Sequence, residues 1–182
     1  GKSPNSDALR ASLAAELVED GQYDAALAEY DALLKKNPNS GAVYIMLGDV
    51  HKRRNDLPAA LKAMQKAVEL TPNNTVSLVR LALIMETLDQ GIEARKLYDK
   101  ILSIDPNNYV ALNNLAFLKA DSGEDLDGAL TMVNRAKQQL PQNDEIIDTM
   151  GWIYLKKNLT DDAIRIFTDL VKRNPDNPTY RF

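Results

Sequence analysis

The chain has 182 residues, 45% of them hydrophobic and 26% charged, a balance typical of folded rather than disordered sequences. Its formal net charge of -4 gives a field that favours neither nucleic acid nor an anionic membrane surface, and the absence of cysteine excludes disulfides, thiolate metal sites and a cysteine nucleophile. No run of eighteen apolar residues occurs, so no direct membrane insertion is expected. No signal-peptide pattern opens the chain, which leaves cytoplasm and periplasm both open.

After a short tail, residues 1–6, the chain reads as five units of paired helices at 7–40, 41–74, 75–108, 109–143 and 144–177, with the start of a truncated sixth at 178–182. The boundaries are marked by one recurring phrase: "KKNPNSGAVYIMLG", "ELTPNNTVSLVRLA", "SIDPNNYVALNNLA", "QQLPQNDEIIDTMG" and finally "KRNPDNPTYRF". Its prolines, Pro38, Pro72, Pro106, Pro141 and Pro175, lie 34, 34, 35 and 34 residues apart, and Ala26, Ala60, Ala94, Ala129 and Ala163 keep the same steps. Two residue types with different physical roles therefore share one period, the signature of an internal repeat. Proline ends a helix, since its ring and missing N–H cannot continue the ladder, and the Asn, Ser or Asp that follows caps the next one.

Within each unit apolar residues recur at spacings of three and four, as on one face of a helix. Tyr44, Leu47, Gly48 and His51 illustrate the first helix, and Ile147, Met150, Gly151 and Tyr154 repeat it. In the second helix Ala60, Met64 and Ala67, or Ala163, Phe167 and Leu170, place a small residue where two helices approach closely and a large one a turn later. The fourth unit carries one extra residue, expected in the turn "DSGEDLDG".

These residues resemble the tetratricopeptide repeat, with its pattern W-x2-L-G-x2-Y, then A-x3-F, then P. The fifth unit matches best, through Gly151, Tyr154, Ala163, Phe167 and Pro175; the first is weakest, with Arg10, Leu13, Ala14 and Leu17 in its leading helix. No unit has Trp at the first consensus place. The resemblance implies an all-α fold, a right-handed superhelical solenoid of antiparallel helix hairpins, in which each 34-residue hairpin completes its core only by stacking on its neighbour.

Consensus places 4, 7, 8 and 11 of each first helix face the mate, so at 100° per residue places 2, 5, 9 and 12 lie opposite. In the resembling family that side lines a concave groove. It carries Ile45 and Asp49 in the second unit, Val79 and Leu83 in the third, Asn113 and Phe117 in the fourth, and Asp148 and Trp152 in the fifth, with Val18 and Ala120 at the twelfth place of units one and four. Arg80 and Asn114, at place 6, and Asn113 are candidates for bonding the backbone of an extended peptide, because an amide offers donor and acceptor together. Members of the family that grip a terminal carboxylate use groove lysines, asparagines and an arginine; of the corresponding places here only Arg80 fits.

Catalytic chemistry has little to stand on. His51, the sole histidine, occupies a helix-packing place and reads as a buried, hydrogen-bonded filler; no phosphate-binding glycine loop occurs, and "DSGEDLDG" fails the calcium-loop pattern. No catalytic residue, cofactor or metal is expected, and the chain reads as a non-catalytic scaffold that binds a peptide or helix of a partner protein. The alternative is the interaction arm of a larger bacterial enzyme or of a cell-envelope or exopolysaccharide assembly protein. Ile164, Ile166, Phe167, Leu170 and Val171 on the last helix have no complete successor to cover them, which points to a longer chain or to self-association through uncapped solenoid ends.

Overall fold

A computed structural model describes residues 4–175; the start of a sixth repeat at 178–182 lies outside the described residues. Among the described residues every regular element is a helix: α1 (Pro4–Glu19), α2 (Tyr23–Lys36), α3 (Gly41–Arg53), α4 (Leu57–Leu70), α5 (Thr75–Thr87), α6 (Gly91–Ile104), α7 (Tyr109–Asp121), α8 (Leu126–Gln139), α9 (Asp144–Lys156) and α10 (Thr160–Arg173). Helix α1 starts at Pro4, three residues ahead of the expected boundary at residue 7, in keeping with the tolerance of proline at a first helical position, where no N–H is required. The chain divides into two compact units, one ending at Ala94 and the other beginning at Arg95.

The repeated phrase acts as a cap. Two residues after each proline, Ser40, Asn74, Asn108 and Asn143 stand at the N-caps of α3, α5, α7 and α9. Their side chains accept from the backbone N–H of Val43 at 3.4 Å, Val76 at 2.9 Å, Ala111 at 3.1 Å and Ile146 at 3.0 Å, satisfying donors that have no partner inside the helix. Within the hairpins the chain reverses through a left-handed residue: Gly21, Asn55, Asp89, Gly123 and Asn158 have φ of 74°, 61°, 59°, 74° and 61°. Gly, Asn and Asp are the residues that enter this region most readily. In the fourth hairpin a second left-handed residue, Asp125 at φ 47°, follows Gly123 and caps α8, so the extra residue sits between them, inside the turn the sequence indicated.

In the first unit α1 packs on α2 and α3 on α4, and the hairpins join through α2 with α3 and α4 with α5. Ala14, Ala26, Tyr30, Leu33, Leu47 and Val50 form the core there. In the second unit α7 packs on α8, α9 on α10, and α9 also on both α7 and α8. Its core contains Leu112, Ala116, Ala129, Val133, Ile146, Met150 and Ile153. Ala26, Ala60, Ala94 and Ala129 are wholly buried. Gly48 and Gly151 mark close approaches between the helices of a hairpin: a Cβ there would fall 2.6 Å from Met64 Cε and 2.8 Å from two ring carbons of Phe167.

Candidate interaction site

On the expected groove side of the first unit, Ile45 on α3 and Val79 and Leu83 on α5 are partly buried. Between them Arg80 Nε donates to Asp49 Oδ1 at 2.9 Å. Burial pushes the Asp49 carboxyl above its ordinary range, and the Arg80 guanidinium, with Lys52 and Arg53, pulls the other way. Tyr30, buried beneath, has its hydroxyl pushed up by burial and by the Asp49 charge. Arg80 is thus committed to a carboxylate of its own chain.

In the second unit Phe117 on α7 and Trp152 on α9 occupy the same place of two helices that pack together, and their ring centroids lie 6.5 Å apart at 30°. Phe117 is 39% exposed, while Trp152 is partly buried against the core. Lys156, one turn beyond Trp152, holds its ammonium 4.7 Å from the indole ring centroid and 3.6 Å from Asp121. A cation over an indole face is attracted by the ring quadrupole. One turn before the aromatic pair stand Asn113 and Asp148, again at matching places of α7 and α9. Asn113 is only 8% exposed; its Nδ2 donates to Asn114 Oδ1, and Asn114 Nδ2 donates to the Tyr98 hydroxyl, each at 3.2 Å. The Oδ1 of Asn113 and the Nε1 of Trp152 are buried without a hydrogen-bond partner among the described residues. Burial alone pushes the Asp148 carboxyl above its ordinary range.

The structure joins Arg80 to Asp49 in one unit, and Phe117 to Trp152 and Asn113 to Asn114 in the other; Ile45, Val79, Leu83 and Asp148 lie partly buried on the same helices. Val18 and Ala120, placed on the same side by the 100° rule, are buried instead, each packed into the core of its unit. Lys156 and Tyr98 were not anticipated, although the four-residue step from Trp152 to Lys156 was readable as a same-face pair. His51 is half-buried, with Nδ1 3.7 Å from an Asp56 oxygen, beyond hydrogen-bond reach, so that nitrogen has no hydrogen-bond partner among the described residues. On α10, Leu170 is fully buried beside Ile147, whereas Ile164 is 57% exposed, so the final helix is only partly uncovered. No group of His, Asp or Glu suited to a metal ion and no helix long and apolar enough to cross a membrane occurs among the described residues.

Paired helices on a 34-residue step, capped after each proline and packed small against large, define a tetratricopeptide repeat protein. More specifically, the family profile described as the cytochrome c-type biogenesis protein H TPR domain matches residues 32–147, and the chain belongs to that family. Two general tetratricopeptide repeat profiles match residues 7–50 and 149–177. Among solved structures, the MamA protein is 18% identical with a TM-score of 0.76, covering 99% of this chain and 98% of its own. YrrB, described as a TPR protein with an unusual peptide-binding site, is 20% identical at 0.73, covering 94% and 88%. PilW, described as a widely conserved type IV pilus biogenesis factor, is 18% identical at 0.79, covering 94% and 79%. At such identities the likeness shows the fold: all-α helix hairpins in the tetratricopeptide arrangement. No match to the sequence was found among curated proteins.

Proposed function

We propose that this chain is a non-catalytic protein–protein interaction scaffold, with repeats at 7–40, 41–74, 75–108, 109–143 and 144–177, that holds a peptide or helix of a partner along the groove side of its first helices. The observation that carries this reading is the Phe117–Trp152 pair, large aromatic surface on the groove side with Phe117 substantially exposed. Exposed aromatic groups clustered this way are characteristic anchors of protein interfaces. Ile45, Val79 and Leu83 extend apolar character on the equivalent side of the first unit. A solved relative in fold whose name includes a peptide-binding site supports the same reading.

Photo-crosslinking from position 117 tests it, in the otherwise unchanged chain and in a Trp152→Ser background with circular dichroism as the folding control. Partner peptides joined at position 117 and diminished by Trp152→Ser are the expected result; partners joined equally from an exposed position on a second helix of the same unit, such as Asn134 on α8, would refute it. A second reading, the interaction arm of a larger cell-envelope assembly protein, draws support from the description of the matched family and from the likeness to PilW. Self-association through uncovered helix faces belongs to the same proposal: Leu9 on α1 is 64% exposed, and Ile164 on α10 is similarly open. Concentration-dependent light scattering, abolished by Ile164→Lys, is its check.

A further inference from the structure

Resting on the groove reading, we infer that the second unit selects a segment with an arginine or lysine beside its apolar anchor, the cation seated between Asp148 and Asn113 while the anchor lies on Phe117 and Trp152. The first unit shows how a groove-side carboxylate is satisfied. Asp49, half-buried, receives the guanidinium of Arg80 from the next first helix at 2.9 Å. Asp148 is also half-buried, yet it has no ion pair or hydrogen bond among the described residues. Asp148 stands at the fifth place of α9 rather than the ninth that Asp49 holds on α3, and on the neighbouring α7 the fifth and sixth places carry Asn113 and Asn114, neither of them cationic. The cation nearest in sequence on that face, Lys156, is engaged over the Trp152 ring and with Asp121.

A second acceptor points the same way. Asn113 occupies on α7 the place that Asp148 occupies on α9, and the aromatic contact one turn on fixes the two helices in that register. With its Nδ2 turned to Asn114, Asn113 leaves Oδ1 buried without a donor. Two acceptors at matching places of packed helices, both without donors among the described residues, suit a guanidinium, which carries five N–H groups in a planar fork, or an ammonium with three. Burial pushes the Asp148 carboxyl upward with no countercharge to oppose it, so an incoming cation meets a carboxylate already partly stripped of water. The excess of acidic over basic residues in the chain favours approach of such a segment.

The test uses the full chain and three short synthetic peptides with one common Leu- and Phe-containing core, differing only in arginine, citrulline or glutamate beside it. Binding is read from the emission of Trp152, the single tryptophan. The arginine peptide is expected to bind about tenfold more tightly than the citrulline peptide, with the preference shrinking as salt is raised. Asp148→Asn should erase that preference and leave citrulline-peptide affinity unchanged, and Asn113→Leu should reduce it. Equal affinity for the arginine and citrulline peptides, or a preference that survives Asp148→Asn, overturns the cation site and leaves the groove reading standing. If none of the three peptides perturbs Trp152 emission in the parent chain and Trp152→Ser also leaves crosslinking from position 117 intact, both fall.

Discussion

Gly151→Ala isolates the closest helix approach in the second unit. A Cβ at this position would lie 2.8 Å from two ring carbons of Phe167 and 3.1 Å from Ile166 Cγ2. Ordinary contact begins near 3.4 Å, so the ring must withdraw by about 0.6 Å, and it is backed by Ile147 and Leu170. Overpacking of this kind costs about 1–3 kcal/mol. Against it stands the gain of about 1 kcal/mol for replacing an interior helical glycine by alanine. The net expectation is a loss of about 0–2 kcal/mol, because a rigid ring has fewer ways to yield than a flexible chain end. Gly48→Ala supplies the contrast: there the nearest atoms belong to the flexible Met64 thioether, and the loss should be smaller or absent. Urea unfolding followed by far-ultraviolet circular dichroism and by Trp152 emission, next door to the substitution, reads the effect as a lowered midpoint at constant slope. In a Phe167→Leu background, where the ring is gone, Gly151→Ala should become neutral or stabilising by up to about 1 kcal/mol. A Gly151→Ala chain more stable than the parent, or a loss unchanged by Phe167→Leu, would refute the close packing of α9 on α10.

Two further substitutions probe charge and capping. Because the folded state raises the Asp148 pKa, the native chain holds its proton more tightly than the unfolded one. Stability from this group is therefore highest below the ordinary carboxylate range and falls as pH rises through the raised folded value. Asp148→Asn should be more stable than the parent at neutral pH, the difference vanishing on acidification; thermal melts across acidic to neutral pH decide it, and a difference that grows on acidification would refute the assignment. Asn108→Ala removes the side-chain acceptor at the start of α7 and should cost about 1 kcal/mol, with Asn108→Ser recovering most of it, as measured by chemical unfolding.

Much of the fold was legible because the chain states it five times. Pro38 through Pro175 and Ala26 through Ala163 repeat on one step, and each mark has a local meaning: an end of a helix, or a contact too close for a large side chain. The caps were readable for the same reason, since Asn or Ser two residues after proline acts through its own neighbouring backbone. The left-handed hairpin residues were less visible, because Gly21, Asn55, Asp89, Gly123 and Asn158 differ in type while sharing one conformation.

By itself, then, the sequence determined the period, the helices, their ends and the side of each first helix on which Ile45, Asp49, Phe117 and Trp152 fall, all consequences of interactions within a few residues. Tertiary structure decided what those side chains do. That Arg80 neutralises Asp49, that Phe117 meets Trp152, that Asn113 is buried against Asn114 and that Asp148 has no partner among the described residues depend on which helices stack and in what register. Repeat spacing limits those pairings without selecting among them, because each long side chain has several rotamers and several neighbours, and only packing across helices leaves one arrangement.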